Sequence, residues 1–256
     1  MIAAPESPLV ADLFPSPNIE ARLGGLTPSL IILHYTGLLT LERSLDILSR
    51  EDCKVSCHYV ADTDGRIIQM VSENMRAWHA GLSSWRGETD INSASIGIEI
   101  QNAGHSHGSP EFPHAQMRAI SALCQDIIVR HDIAPRCVLG HSDIAPARKI
   151  DPGEKFDWPG LARDGVGFWV PPVAVDINDS GFGPGDAHGD IAEAQRLFAR
   201  YGYGIAETGV FDEATRFVVR AFQMHFRPAL ISERLDRSTL ETARRLIDAL
   251  PDETTA

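Results

Sequence analysis

An α/β fold, with a mixed central sheet covered by helices and a small three-helix domain after it, is what this sequence predicts, on three observations. Short apolar or alternating strands interleave with amphipathic helices between residues 29 and 168. A stretch rich in Pro, Gly, Asp and Asn, 169–188, then interrupts both patterns and reads as a linker. From 189 to 251 only a helical period remains, enough for a small domain of its own.

Residues 1–28 are rich in Pro and Ser, show no period, and read as an extended lead-in. Ser29-Leu30-Ile31-Ile32-Leu33 is a continuous apolar run, the pattern of a strand buried on both faces. Leu41, Leu45 and Leu48 mark a short helix over 41–50. His58 to Ala61 and Arg66 to Met70 flank Asp64-Gly65, a pair suited to a tight turn, so strand, turn, strand is expected. In Ser95 to Ile100 the alternation puts Ile96, Ile98 and Ile100 on one face and Glu99 on the other. Apolar residues at 117, 120, 123, 124, 127 and 128 predict an amphipathic helix over 115–131. Cys137-Val138-Leu139 is a strand leading into His141. After the linker, helices are expected around Ile191–Tyr201, Phe217–Phe226 and Leu240–Ile247, with Gly202, Gly204 and Gly209 separating the first two and Pro228 closing the second.

The bulk numbers exclude several partners. A net charge of −12 opposes binding to a nucleic-acid backbone. No apolar run approaches the roughly 18 residues of a membrane span. The first residues carry neither a basic region nor an apolar core, so no secretory signal is visible; the cytoplasm is expected, with the periplasm or envelope as the alternative. Cys53, Cys57, Cys124 and Cys137 form no Cys-x-x-Cys pair and read as free thiols. A monomer is expected.

The chemistry concentrates in Gly140 to Gly153, where His141, Lys149 and Asp151 share a loop punctuated by Pro and Gly. Ten residues separate His141 from Asp151, too far for one helical face, so the loop must fold back. His34 ends the first buried strand much as His141 ends the last, and is the candidate third ligand. Two imidazoles and a carboxylate with one position left open suit zinc. Glu99, on the strand face opposite the isoleucines, is the candidate base, and Lys149 the candidate oxyanion partner. Together these make a metal-assisted amide hydrolase.

Five segments then carry a family resemblance: Ile32-Leu33-His34-Tyr35-Thr36, Val55-Ser56-Cys57-His58-Tyr59, Ala77-Trp78-His79-Ala80-Gly81, Asn92 to Ile100, and the Gly140–Gly153 loop. In this order, over roughly 28–165, the chain resembles the zinc-dependent N-acetylmuramoyl-L-alanine amidases, which include phage lysozymes of amidase type and animal peptidoglycan recognition proteins. Ser83 to Gly87, Arg200 to Tyr203 and Ala221 to Pro228 look like the family's enteric lipoprotein branch, whose C-terminal part resembles a three-helix peptidoglycan-binding module. The resemblance implies zinc on His34, His141 and Asp151, and catalysis by Glu99 and Lys149. It implies a peptidoglycan or muropeptide substrate, cut between N-acetylmuramic acid, ordinary or anhydro, and L-alanine. Trp78 and His79 would flank the substrate groove, with Tyr35 and Asn92 as further substrate-binding candidates.

Plainer roles compete at several positions. Trp85 and Arg86 either line the groove, since an aromatic face and a guanidinium suit sugars and carboxylates, or form a packing pair. His79 either contacts substrate or shapes the wall. Asp143 reads as a loop-ordering residue, His58 as a structural histidine, and His105, His107 and His114 as members of an exposed loop. A non-catalytic peptidoglycan-binding protein is the alternative to the enzyme.

Overall fold

The computed structural model describes residue 2 and residues 4–251. The chain opens with strands β1 (Val10–Leu13), β2 (Ile19–Ala21) and β3 (Leu30–Tyr35), then helix α1 (Leu41–Ser49). Strands β4 (Tyr59–Ala61), β5 (Ile67–Gln69) and β6 (Met75–Ala77) follow. The one-turn helix α2 (Ile91–Ala94) leads into β7 (Ser95–Ile100), the long helix α3 (His114–His131) and β8 (Val138–Gly140). Helices α4 (His141–Ile144) and α5 (Trp158–Arg163) complete the first half; α6 (Gly189–Tyr201), α7 (Glu213–Phe226) and α8 (Arg237–Asp248) form the second.

Six strands pair in the order β1-β5-β4-β7-β3-β8, parallel throughout except between β4 and β5. That exception is the expected hairpin, in which Gly65 takes φ +92° and donates to the Asp62 carbonyl. The lead-in is more ordered than its composition implies. β1 forms an edge of the main sheet, and β2 pairs antiparallel with β6 in a separate ribbon. Pro5, Pro8, Pro15 and Pro17 break any readable period there, and an edge strand tolerates exposed residues such as Ala11 and Asp12.

β3 explains where the core lies. Ile31 and Leu33 face one way, with Ile96, Ile98 and Ile100 of β7, onto Ile120, Leu123 and Ile127 of α3. Leu30 and Ile32 face the other way with Leu139, into a cluster that continues through Ile91 and Trp85 to Ile191, Phe198, Phe222 and Leu246. Each such aliphatic side chain contributes about 1.5–3 kcal/mol on burial. The C-terminal helices therefore cover the second face of the sheet, sharing its core rather than burying only their own.

Local chemistry sets the helix ends. Thr40, Asp212 and Asp236 accept from the backbone of Arg43, Thr215 and Thr239, capping α1, α7 and α8. Gly202 ends α6 at φ +151°, and a Cβ there would lie 2.4 Å from the Trp85 ring, so only glycine admits that contact. All four cysteines are free thiols, and among the described residues no helix is long and apolar enough to cross a membrane.

Candidate metal centre and active site

Strand register brings the reactive residues together. β7, β3 and β8 are adjacent and parallel, and their C-terminal ends open on one cleft, where such sheets place their ligands. His34 pairs with Glu99 in the β3–β7 register, and His141 follows the last residue of β8. The Ser142 N–H donates to the Asp151 carbonyl at 2.9 Å, folding the loop back so that Asp151 meets both histidines.

His34 Nδ1 and His141 Nδ1 lie 2.8 Å apart, and Asp151 Oδ2 stands 3.2 and 3.0 Å from them. All three residues are buried. The opposite ring nitrogens decide what this triangle contains. His141 Nε2 faces the Ala80 carbonyl at 3.1 Å, an acceptor, so it carries the proton. A single directed chain then accounts for His34: its Nε2–H donates to His79 Nδ1 (3.0 Å), His79 Nε2–H donates to Ser95 Oγ (3.3 Å), and Ser95 donates to the Ile91 carbonyl. Both Nδ1 atoms are thus left with lone pairs aimed at each other and at a carboxylate oxygen. Three converging lone pairs fit a cation, and the Ala80 carbonyl on His141 is the kind of second partner that orients a metal-bound histidine.

The electrostatics agree. Burial, and then His141, lower the His34 pKa to about 4, keeping the ring neutral as a ligand must be. Burial, and then Asp151, push the Glu99 carboxyl well above its ordinary value, against the opposing charge of Lys149. Its Oε2 is buried without a hydrogen-bond partner. These groups line a cleft of about 260 Å³, with Tyr35, Thr36 and His79, and an apolar wall of Leu38, Ile47, Leu48 and Val55.

Four sequence candidates for substrate contact fall outside this lining. Trp85 is 2% exposed and packs edge-on between Tyr201 and Tyr203, with ring centroids 5.4 and 5.1 Å away. It takes the packing role because the C-terminal helices cover it. Arg86 follows on the surface, its N–H donating to the Gly202 carbonyl. Asn92 is buried, and its Oδ1 accepts from the N–H groups of His79 and Ala80, fixing the backbone whose imidazole and carbonyl meet His34 and His141. Trp78 is half-buried beside that segment, its N–H donating to Ser56 Oγ. Tyr35 and His79 do line the cleft.

His58 is structural: Nδ1 accepts from the Gly97 N–H and Nε2 faces the Met75 carbonyl. Sequence reasoning placed His105 in an exposed loop and missed its partners. It bonds the Tyr35 hydroxyl at 3.1 Å and Glu154 at 2.8 Å, tying the loop to the cleft mouth. Arg148 was also missed; it donates to the Ala80 and Leu82 carbonyls across the loop. The signal for His105 was Gly104 and Gly153, where a Cβ would crowd Tyr35 and His105. Arg148 left no short-range signal.

Gly97 carries a prediction. An ideal Cβ there would lie 2.5 Å from the His79 ring. Gly97→Ala should cost about 1–3 kcal/mol through overpacking and weaken metal binding by moving the ring that orients His34. Urea unfolding and metal titration check this; an unchanged midpoint would contradict the packing argument.

Residues 24–154 match the sequence signature of the N-acetylmuramoyl-L-alanine amidases. The chain belongs to this family. Among relatives, the amidase is 39% identical to the N-acetylmuramoyl-L-alanine amidase AmiD of Escherichia coli over 231 residues, 85% of this chain and 82% of AmiD. The solved complex of that AmiD with anhydro-N-acetylmuramic acid-L-Ala-D-gamma-Glu-L-Lys matches with a TM-score of 0.74 at 36% identity, covering 90% of this chain and 92% of that one. AmpDh3 of Pseudomonas aeruginosa, solved with an anhydromuramic pentapeptide, matches with a TM-score of 0.72 at 33% identity, covering 86% and 91%. Residues 187–242 of the amidase match a peptidoglycan binding domain.

Proposed function

We propose that this amidase is a zinc enzyme in which His34, His141 and Asp151 hold the ion, and Glu99 and Lys149 act on the scissile amide. The observation that carries the reading is the triangle of inward lone pairs, whose N, N, O donor set suits zinc. The substrate is the amide joining the lactyl group of N-acetylmuramic acid, ordinary or anhydro, to L-alanine of the stem peptide. The anhydromuramic peptides seated in the two solved relatives support it.

Bound zinc supplies Lewis acidity toward the amide carbonyl and lowers the pKa of water towards about 7. Glu99, in the cleft beside His34, takes the proton of the attacking water and hands it to the leaving nitrogen of L-alanine as the C–N bond breaks. A carboxyl whose proton affinity burial has raised suits both halves of that transfer. Lys149, lining the same cleft, offsets charge developing on the carbonyl oxygen. Tyr35 and His79 bound the cleft, and the apolar wall limits water. The C-terminal unit is read as a wall-binding module, supported by the 187–242 match.

Elemental analysis and mass spectrometry of digests of a soluble anhydro-muropeptide test the reading together. About one zinc per chain, with release of a stem peptide beginning at a free L-alanine amine, is expected. A zinc-free protein that binds sacculi and releases no peptide would instead be a recognition protein, and the enzyme reading would fall.

A further inference from the structure

The metal-site loop is held from behind by the C-terminal helices, through a buried carboxylate two residues from His141. Asp143 is 1% exposed. Its Oδ2 accepts from the Gly140 N–H and from His225 Nδ1, each at 2.8 Å, and its Oδ1 accepts from the Tyr203 hydroxyl at 2.6 Å. Two of these three donors come from the C-terminal half: Tyr203 just beyond α6, and His225 in the last turn of α7. The His225 ring is stacked between Phe226 and Trp158 of α5, with centroids 3.9 and 3.8 Å away, so its donor is fixed in direction. Arg220 of α7 adds a hydrogen bond to the Pro146 carbonyl, on the same loop, at 2.8 Å.

A buried acceptor deprived of its donors must turn toward others or admit water. Asp143 sits on the one-turn helix α4, whose first residue is His141, so either response is passed to that residue's backbone. The Gly140 N–H that it also holds marks the junction of β8 and α4. Displacing Asp143 therefore displaces His141 Nδ1 relative to His34 and Asp151.

We propose that Tyr203 and His225 are positioning residues of the metal site: the C-terminal helices, besides any role on the wall, set the geometry of His141 through Asp143. This rests on the reading of His141 as a metal ligand. Neither residue lines the cleft; each acts through the carboxylate.

Three variants of the full chain test it: Tyr203→Phe, His225→Leu and His225→Asn. The asparagine amide nitrogen can stand near the place of Nδ1 and keep the donor; leucine cannot. Zinc affinity is measured by chelator competition on folded protein, with kcat and KM on an anhydro-muropeptide. Tyr203→Phe and His225→Leu should weaken zinc about tenfold or more, within the range for outer partners of metal ligands. They should lower kcat more than they raise KM, and His225→Asn should restore most of the loss. Folded variants that melt earlier yet bind zinc as tightly as the parent would overturn the proposal, leaving the pair with a packing role. Failure of both Tyr203→Phe and His225→Leu to fold would overturn it likewise. A parent protein that takes up no zinc would bring down the metal-site reading, and this proposal with it.

Discussion

Glu99→Gln is expected to keep the metal and lose turnover by at least about a hundredfold, the lower end for removing a general acid–base. Glutamine keeps the size and the strand, so the β3–β7 register that sets Glu99 beside His34 survives. What disappears is a group that can bind and release a proton. Glu99 suits that work because its Oε2 has no hydrogen-bond partner to hold it and burial raises its proton affinity. A hundredfold loss corresponds to about 2.7 kcal/mol of transition-state stabilisation. The loss should fall on kcat, with zinc content unchanged. A variant that still cleaves near the parent rate would remove Glu99 from the chemistry and leave it a charge in the cleft.

Asp151→Ala should have the larger effect, abolishing turnover and zinc retention together. It takes away the oxygen of the triangle and leaves two imidazoles, one donor short of the usual catalytic set. The second signature is thermal. Zinc at a hundred times its dissociation constant stabilises a folded site by about 2.7 kcal/mol. In a chain of this size that raises the parent's midpoint by roughly 5–10 °C. Asp151→Ala should melt at one temperature with or without zinc. A zinc-dependent rise in the variant would mean that the ion is held by other residues.

Much of this site is legible in the sequence because its parts are local. Ile31, Ile32 and Leu33 read as a doubly buried strand, so His34 at its end had a fixed place. The Pro and Gly spacing of the 140–153 loop, and the family resemblance, pointed to a fold-back that hydrogen bonding from Ser142 completes. What was not legible depends on partners distant in sequence. Trp85 and Arg86 resemble groove residues until Tyr201 to Tyr203 are laid against them. Asn92 has the chemistry of a sugar-binding amide, but its oxygen is already committed to His79 and Ala80. Asp143 was read as ordering its own loop; two of its three donors arrive 60 and 82 residues later. β1 was hidden because an edge strand needs no alternation to pair.

With an ion on His34, His141 and Asp151 as proposed, the pairing of His34 with Glu99 would also let that ion report on strand register. Strand side chains alternate, so a one-residue slip of β3 would turn His34 toward the α3 side and Leu33 toward the cleft. Such a misthreaded chain could bury nearly as much hydrocarbon, but it would present two of the three donors. Zinc in excess would therefore favour correctly zipped molecules during refolding, and the fraction of chains that retain the ion after desalting counts those in register.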